Sequence, residues 1–414
     1  MKRLCPSLLC LGLWLPAIGL FAQKSNCQQR PIILIHGFLG AGDNYAPLAA
    51  QLQAAGQCTG SLIPYDWNTL SRNPQEVKRL DSVVQAALAQ SGHTQVLMVG
   101  HSAGGSLAYQ YLADSLRSQR VAGYVHIGSR AMAAPAGPGG SVPTLNVYSL
   151  ADRTVPGKDI PGASNVKLHT PDHFGLVTCD STAAAVLQFA GLQPAKKPAT
   201  TATSIQLQVL QMGENKPEAG ATLTYQLLQA NGSPAGSTRT AVTGADGKAT
   251  LQLPAPLQQP LWVKCQPVSG RAVAYYFAQV PAGPMPLYLR TLPATGMVNL
   301  LLGGIPKNEQ PAWVLFNPQQ AFAPGAVPLQ IGTDTLNTPA ITPAAKTVVA
   351  LFLYDSNADG QSSRQPIGLF GQAPFMNGID YALPATGSTT LQWQGRPWQI
   401  PAVASKDFVT VIVL

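Results

Sequence analysis

Gln95-Val96-Leu97-Met98-Val99-Gly100-His101-Ser102-Ala103-Gly104-Gly105-Ser106-Leu107-Ala108-Tyr109-Gln110-Tyr111-Leu112 is the stretch that decides the fold of this chain. It opens on an apolar run of strand length and closes on a segment that reads as a helix. Between them stands a G-x-S-x-G pattern at residues 100–104. A serine at a sharp strand-to-helix turn sits on strained backbone and presents its hydroxyl at the end of the strand. Gly100 and Gly104 keep side chains out of the crowded turn. Ser102 is therefore the candidate nucleophile.

Reading outward from Ser102, residues 27–193 alternate strands and helices. Pro31–Ile35 is a short, fully apolar strand, as a strand buried on both faces should be. Asn73 reads as an N-cap and Pro74 as a first helical residue. Val77, Leu80, Val84, Ala87 and Leu88 then recur at helical spacing, and Ser91-Gly92 ends that helix. Val121–Ile127, Leu145–Ser149 and Asn165–Leu168 read as further strands, and Ser181–Phe189 as a last helix. Such alternation means a mostly parallel sheet with helices on both faces.

All six histidines fall in this first half, between His36 and His173. A histidine base for Ser102 must come from among them. Reacting groups in such a fold collect at the C-terminal ends of the strands. The G-x-S-x-G elbow resembles that of the α/β-hydrolases, whose order of nucleophile, acid, histidine would leave only His169 and His173 late enough. His173, deeper in the loop, is the candidate base, with His169 behind it. Asp152, just after the strand Leu145–Ser149, is the candidate acid that would hold the imidazole in its tautomer. Asp159 is the second choice, and Asp172 is too close to His173 to orient it. The oxyanion of an acyl-transfer step needs backbone donors held in place beforehand. The Ala103 N–H is one. Phe38, in His36-Gly37-Phe38-Leu39-Gly40, is the other, with Leu39 as its alternative. A phosphate cradle is disfavoured, because neither GxGxxG nor GKS/T occurs.

The 414 residues are too many for one ordinary core. Lys2-Arg3, the apolar run Leu8–Phe21 and a small residue at Ala22 read as a signal peptide over residues 1–22. The expectation is a secreted or periplasmic protein in an oxidising compartment. Four cysteines then remain. Cys27 and Cys58 precede two neighbouring parallel strands and are the expected disulfide, leaving Cys179 and Cys265 as thiols. The net charge is +8, or +6 without the leader, and only 11% of residues are charged. No basic cluster exceeds Lys196-Lys197, which argues against nucleic acid as a partner.

The composition changes after Gln193. Residues 194–203 have linker character. Beyond them Ser204–Gln211, Ala221–Leu228, Gly247–Leu253, Leu261–Gln266 and Ala272–Val280 read as strands, with Asn231-Gly232 and Asp246-Gly247 as turns. The expectation is a β-sandwich over 204–292 and a second β-rich domain over 293–414, whose clearest strands are Val348–Tyr354 and Phe408–Leu414. Asp355-Ser356-Asn357-Ala358-Asp359-Gly360 opens like a calcium loop, with Asp355, Asn357 and Asp359 as its ligands. Its twelfth position is Pro366 rather than the anchoring Glu, so the string reads first as a polar turn and only second as a metal site. The expected chemistry requires no cofactor.

Ile35–Gly42, Gly100–Gly104, Gly162–Val166, His173–Asp180, Ala350–Leu353 and Pro374-Phe375-Met376-Asn377-Gly378-Ile379-Asp380-Tyr381-Ala382-Leu383-Pro384 resemble the lipase/esterase branch of the α/β-hydrolases. Within it they resemble the archaeal two-domain lipase of the Archaeoglobus type, which has a β-rich C-terminal half. The last stretch carries most weight, since it lies outside the first half. The resemblance implies Ser102 as nucleophile, His173 as base, and Phe38 and Ala103 as oxyanion donors. It implies a serine carboxylester hydrolase acting on acylglycerols or other acyl esters, with a β half that covers the acyl site or grips lipid aggregates. Two departures stand out. That lipase takes its acid from just after the strand following the nucleophile helix, where this chain reads His126-Ile127-Gly128-Ser129. Asp152 would supply it from the next strand. And only 65 residues separate Gly37 from Ser102, too few for a large helical lid. Polyester and thioester cleavage remain open as alternatives on the same chemistry, as does an inactive binding protein. Nothing in the sequence sets an oligomeric state.

Overall fold

The computed structural model describes residues 27, 29–71, 73–195, 204–253, 259–280, 283–325 and 327–414. The expected leader and most of the expected linker lie outside them. The first half runs β1 (Ile32–Ile35), α1 (Ala46–Ala54), β2 (Leu62–Tyr65), α2 (Glu76–Ser91), β3 (Val96–His101), α3 (Ala103–Leu112), α4 (Ser115–Ser118), β4 (Val121–Ile127), β5 (Thr144–Ser149), β6 (Ser164–Leu168), α5 (Gly175–Thr178) and α6 (Asp180–Phe189). The six strands form one parallel sheet in the order β2-β1-β3-β4-β5-β6.

The period of two along each strand divides its side chains between two cores. Ile32, Leu34, Leu97 and Val99 pack with Leu48 and Leu52 of α1 and Val186 and Leu187 of α6. Ile33, Ile35, Val96 and Met98 pack on the other face with Leu80 and Val84 of α2 and Leu107 and Tyr111 of α3. Continuous apolar runs are what such a doubly covered sheet demands. The order in which strands are added reverses between β1 and β3, so the loops leaving those two parallel strands border one crevice.

α2 begins at Glu76, two residues beyond the expected start. Asn73 does cap, accepting the Gln75 N–H at 2.9 Å, but Glu76 N–H returns to the Asn73 carbonyl. That tighter turn occupies Pro74 and Gln75 before the α-helical bonds begin. Cys27 and Cys58 are joined, with Cα atoms 5.9 Å apart, closing 31 residues of sequence. Replacing both by serine is expected to lower stability by about 3–4 kcal/mol, the loop entropy released to the unfolded chain. A urea midpoint equal to the wild type's would exclude that contribution.

The second half runs β7 (Ser204–Gln211), β8 (Thr222–Leu227), β9 (Arg239–Val242), β10 (Lys248–Gln252), β11 (Leu261–Gln266), β12 (Val273–Phe277), β13 (Leu287–Thr291), α7 (Gly296–Leu302), β14 (Trp313–Phe316), β15 (Gln330–Ile331), β16 (Asp334–Thr335), β17 (Val348–Tyr354), β18 (Phe375–Asp380), β19 (Ser388–Trp393), β20 (Arg396–Pro401) and β21 (Val409–Val413). A central sheet of eight strands, β18-β17-β14-β21-β12-β11-β8-β9, is flanked by a three-stranded sheet, β10-β7-β13, and a four-stranded one, β16-β15-β19-β20. Leu207, Leu251 and Leu289 of the three-stranded sheet pack on Leu223, Val263 and Tyr275 of the central one. Leu391, Trp393 and Ile400 pack on its other face, against Trp313, Leu351 and Ile412.

The second half is thus three β layers, and the two expected sandwiches share their middle sheet. The sequence boundary at 292/293 falls inside that sheet. The reason is β21, the last strand, which runs parallel to both β12 and β14 and sits between them. No helix among the described residues is long and apolar enough to cross a membrane.

Candidate active site

Ser102 joins β3 to α3 with φ 53° and ψ −121°, a conformation that side chains other than glycine's rarely adopt. Close approach on both sides imposes it. A Cβ on Gly104 would overlap the Ile35 carbonyl, and one on Gly37 would lie 2.8 Å from Ser102 Cβ. The elbow can therefore sit against the end of β1 only because both positions are glycine.

His173 lies in the loop before α5 and is buried. Its Nδ1 is 2.7 Å from Asp152 Oδ2, and its Nε2 is 2.9 Å from Ser102 Oγ. The carboxylate only accepts, so Nδ1 carries the proton and Nε2 is free to accept from Ser102 Oγ–H. Asp152 is itself anchored. Its Oδ1 accepts the Thr154 and Val155 N–H groups, each at 2.9 Å. The other carboxylates are engaged elsewhere. Asp159 accepts from Tyr148 Oη at 2.8 Å, and Asp172 accepts the Phe174, Gly175 and Ala321 N–H groups. His169 is exposed at the surface.

His101, the residue before Ser102, supports the base. Its Nε2–H donates to the His173 carbonyl at 3.0 Å, and the two rings pack with centroids 4.7 Å apart. Burial, reinforced by the neighbouring His173, holds the His101 pKa well below the ordinary imidazole value. A second charge beside the base is thereby avoided. His126 is neutral for a similar reason, pushed down to about 4 by burial, and it bonds Tyr124 Oη and the Arg130 carbonyl.

Ala103 is the first residue of α3, so its N–H has no acceptor within the helix. In the loop after β1, Leu39 N–H donates to Thr69 Oγ1 at 2.9 Å. Among the described residues Phe38 N–H makes no hydrogen bond to a protein acceptor, and Ala103 N–H directly follows Ser102 in the chain. The loop is braced by His36, which burial pushes down to about 4. Its Nδ1–H donates to the Gly37 carbonyl, and its Nε2 accepts from Trp67 N–H at 3.1 Å.

Residues of the second half complete this surround. The Asn215 amide nitrogen lies 2.7 Å from the Gly40 carbonyl, 3.1 Å from that of Trp67 and 3.1 Å from His36 Nε2. Arg290 holds Asp43 through two bonds of 2.7 and 2.8 Å. Tyr288 Oη donates to Asp66, whose carboxyl is pushed up to about 6, mainly by burial. Across the site, Thr154 meets Thr347, and Thr178 donates to the Gln319 carbonyl. None of these partners was legible in the sequence, where each is an ordinary polar residue of a strand or turn.

Between the halves lies an apolar cleft. Phe38, Leu39 and Phe174 line its catalytic end. One face of the central sheet lines the rest, through Val273 and Tyr275, Val314 and Phe316, Ala350 and Phe352, and Val409 and Val411. These residues alternate along four adjacent strands, as one face of a sheet requires.

The Asp355–Gly360 string closes on itself. Asp355 accepts the Gly360 N–H at 2.7 Å and the Asp359 N–H at 3.3 Å, while Asn357 Nδ2 donates to Asp359. Its side chains are occupied within a polar turn. No group of three or more His, Cys, Asp or Glu among the described residues could hold a metal ion.

Residues 30–146 match the family described as the alpha/beta hydrolase fold, and residues 324–402 match a family described as a C-terminal domain. Solved structures with similarity include MGS-MChE2, an alpha/beta hydrolase enzyme from the metagenome of lagoon sediments at Mar Chica, Morocco. It is 16% identical, covering 40% of this chain and 90% of that one, with a TM-score of 0.30. Aspergillus fumigatus lipase B is 15% identical over 41% of this chain and 54% of its own, with a TM-score of 0.32. A membrane phospholipase A, a bacterial virulence factor, is 16% identical over 39% and 79%, with a TM-score of 0.29. The first half of this chain has the α/β-hydrolase fold, and a β-rich region of several sheets follows it.

Proposed function

We propose that this protein is an exported serine carboxylester hydrolase of the lipase/esterase kind, acting on fatty-acyl esters. One observation carries the reading: Ser102 Oγ, His173 and Asp152 stand in hydrogen-bonded series beside an apolar cleft. In this reaction His173 Nε2 takes the Ser102 proton as Oγ attacks the acyl carbonyl. The Phe38 and Ala103 N–H groups hold the oxyanion, helped by the positive end of α3. Collapse expels the alcohol, which leaves with the proton from His173. Water then attacks the acyl-enzyme through the same base and releases the acid. No cofactor enters this sequence. The acyl chain lies in the cleft against the central β sheet, so the second half performs the covering role that a lid would otherwise serve. The leader-like start and the Cys27–Cys58 bridge support export, and the exposed Leu300 and Leu369 of the second half suit contact with lipid aggregates.

The test joins a covalent probe to a substrate series. A fluorophosphonate is expected to label Ser102 stoichiometrically. The kcat/KM for p-nitrophenyl esters is expected to rise at least about tenfold from acetate to octanoate, since each buried methylene contributes up to about 0.8 kcal/mol. An unlabelled serine would remove the enzyme assignment, and a flat chain-length profile would remove the acyl cleft.

A further inference from the structure

Among the described residues seven other than glycine adopt positive φ, and four of them, Leu39, Ser102, Asn215 and Phe375, converge on this site. Two of the four belong to the second half. Phe375 is the most demanding, because a bulky aromatic residue at φ 63° is a true outlier. Backbone held in that state marks a constraint imposed by its surroundings.

The constraint has a visible result. Neighbouring residues of a strand point to opposite faces of the sheet. Phe375 and Met376 are the first two residues of β18, yet both line the same cleft. The left-handed turn at Phe375 brings its ring round. The pairing of β18 with β17 also shifts register at this point, between Val348 and Ala350, opposite Phe375 and Met376. Register irregularities of this kind re-aim side chains next to active sites. Both irregularities fall at the residue that carries this ring.

That ring lies almost parallel to the His173 imidazole, at 13° and 6.2 Å between centroids. It meets Phe174 edge-on at 5.2 Å and Phe38 at 6.4 Å. Phe38, Phe174 and Phe375 line the cleft, and the last two also lie against the His173 ring that is bonded to Ser102 Oγ. The three rings consequently stand where the nucleophile gives way to the acyl space.

Resting on the ester-hydrolase reading above, we propose that Phe375 is a specificity-determining residue. It is the wall of the passage from Ser102 into the cleft and sizes the acyl group at the carbon next to the carbonyl. A flat passage between rings accepts an unbranched methylene chain. A substituent on the first acyl carbon meets the Phe375 face while the carbonyl is held by the Phe38 and Ala103 N–H groups. The second half thus selects the substrate at the reacting centre as well as covering the chain.

The experiment compares p-nitrophenyl butyrate with p-nitrophenyl 2-methylpropanoate, isomers of equal carbon number, on the full-length protein. The quantity read is the ratio of kcat/KM, branched over straight. It does not depend on the fraction of enzyme that is folded, so a variant that folds poorly still reports. Phe375→Ala is expected to raise the ratio at least about tenfold, a change near 1.4 kcal/mol, and Phe375→Trp to lower it. A ratio within twofold of wild type in both variants overturns the passage while leaving the hydrolase reading in place. Wild-type protein that cleaves neither ester overturns that reading, and the passage with it.

Discussion

Ser102→Ala is expected to lower kcat for p-nitrophenyl butyrate by about 10⁶, the loss seen when the nucleophile of a comparable triad is removed. The fold should be unaffected for a local reason. Alanine keeps the Cβ, so the strained turn at φ 53° and its contact with Gly37 stay as they are. Only the hydroxyl goes, and with it the 2.9 Å bond to His173 Nε2. The imidazole remains anchored by Asp152 through Nδ1 and by the His101 ring packed against it. Circular dichroism and thermal melting should match the wild type within a degree or two, while fluorophosphonate labelling disappears. Residual activity above one part in a hundred in a folded variant would mean that another group attacks the ester.

What the sequence disclosed follows the range of the forces involved. The nucleophile elbow was legible because strand, turn and helix are local and glycine is demanded at short spacing. Asp152 and His173 were legible through topology: the sheet alternates, reacting groups gather at strand ends, and only late loops were open. The layers of the second half were not. β21 enters between β12 and β14 from the far end of the chain, and no local pattern encodes that return. Phe375 was hidden for a different reason. Its positive φ arises from tertiary packing, and phenylalanine in a strand otherwise reads as ordinary core. Asn215 and Arg290 carry no local signature either, because the side-chain partners described above lie at least 148 residues away. The site was thus readable where one half of the chain builds it and silent where the two halves meet.

Asp152→Asn separates orientation from mere occupancy and should lower kcat by about 10⁴ with the structure preserved. Asp152 Oδ1 accepts two backbone N–H groups, from Thr154 and Val155. An asparagine must keep its carbonyl oxygen there, since an NH₂ group would face two donors. Its Nδ2 is then turned toward His173 Nδ1, where the carboxylate oxygen stood at 2.7 Å. A donor now faces a donor, and the ring escapes by moving its proton to Nε2. That nitrogen then points an N–H at Ser102 Oγ and can no longer accept the serine proton. The loss should fall on acylation and deacylation alike, because the same nitrogen serves both. It should shrink at high pH, where a little serine alkoxide forms without a base. Burst kinetics with p-nitrophenyl butyrate between pH 7 and 10 would read both effects. Near-normal turnover in Asp152→Asn would shift the orienting role away from Asp152, and with Asp159 and Asp172 bonded elsewhere, no other aspartate of this loop region could take it.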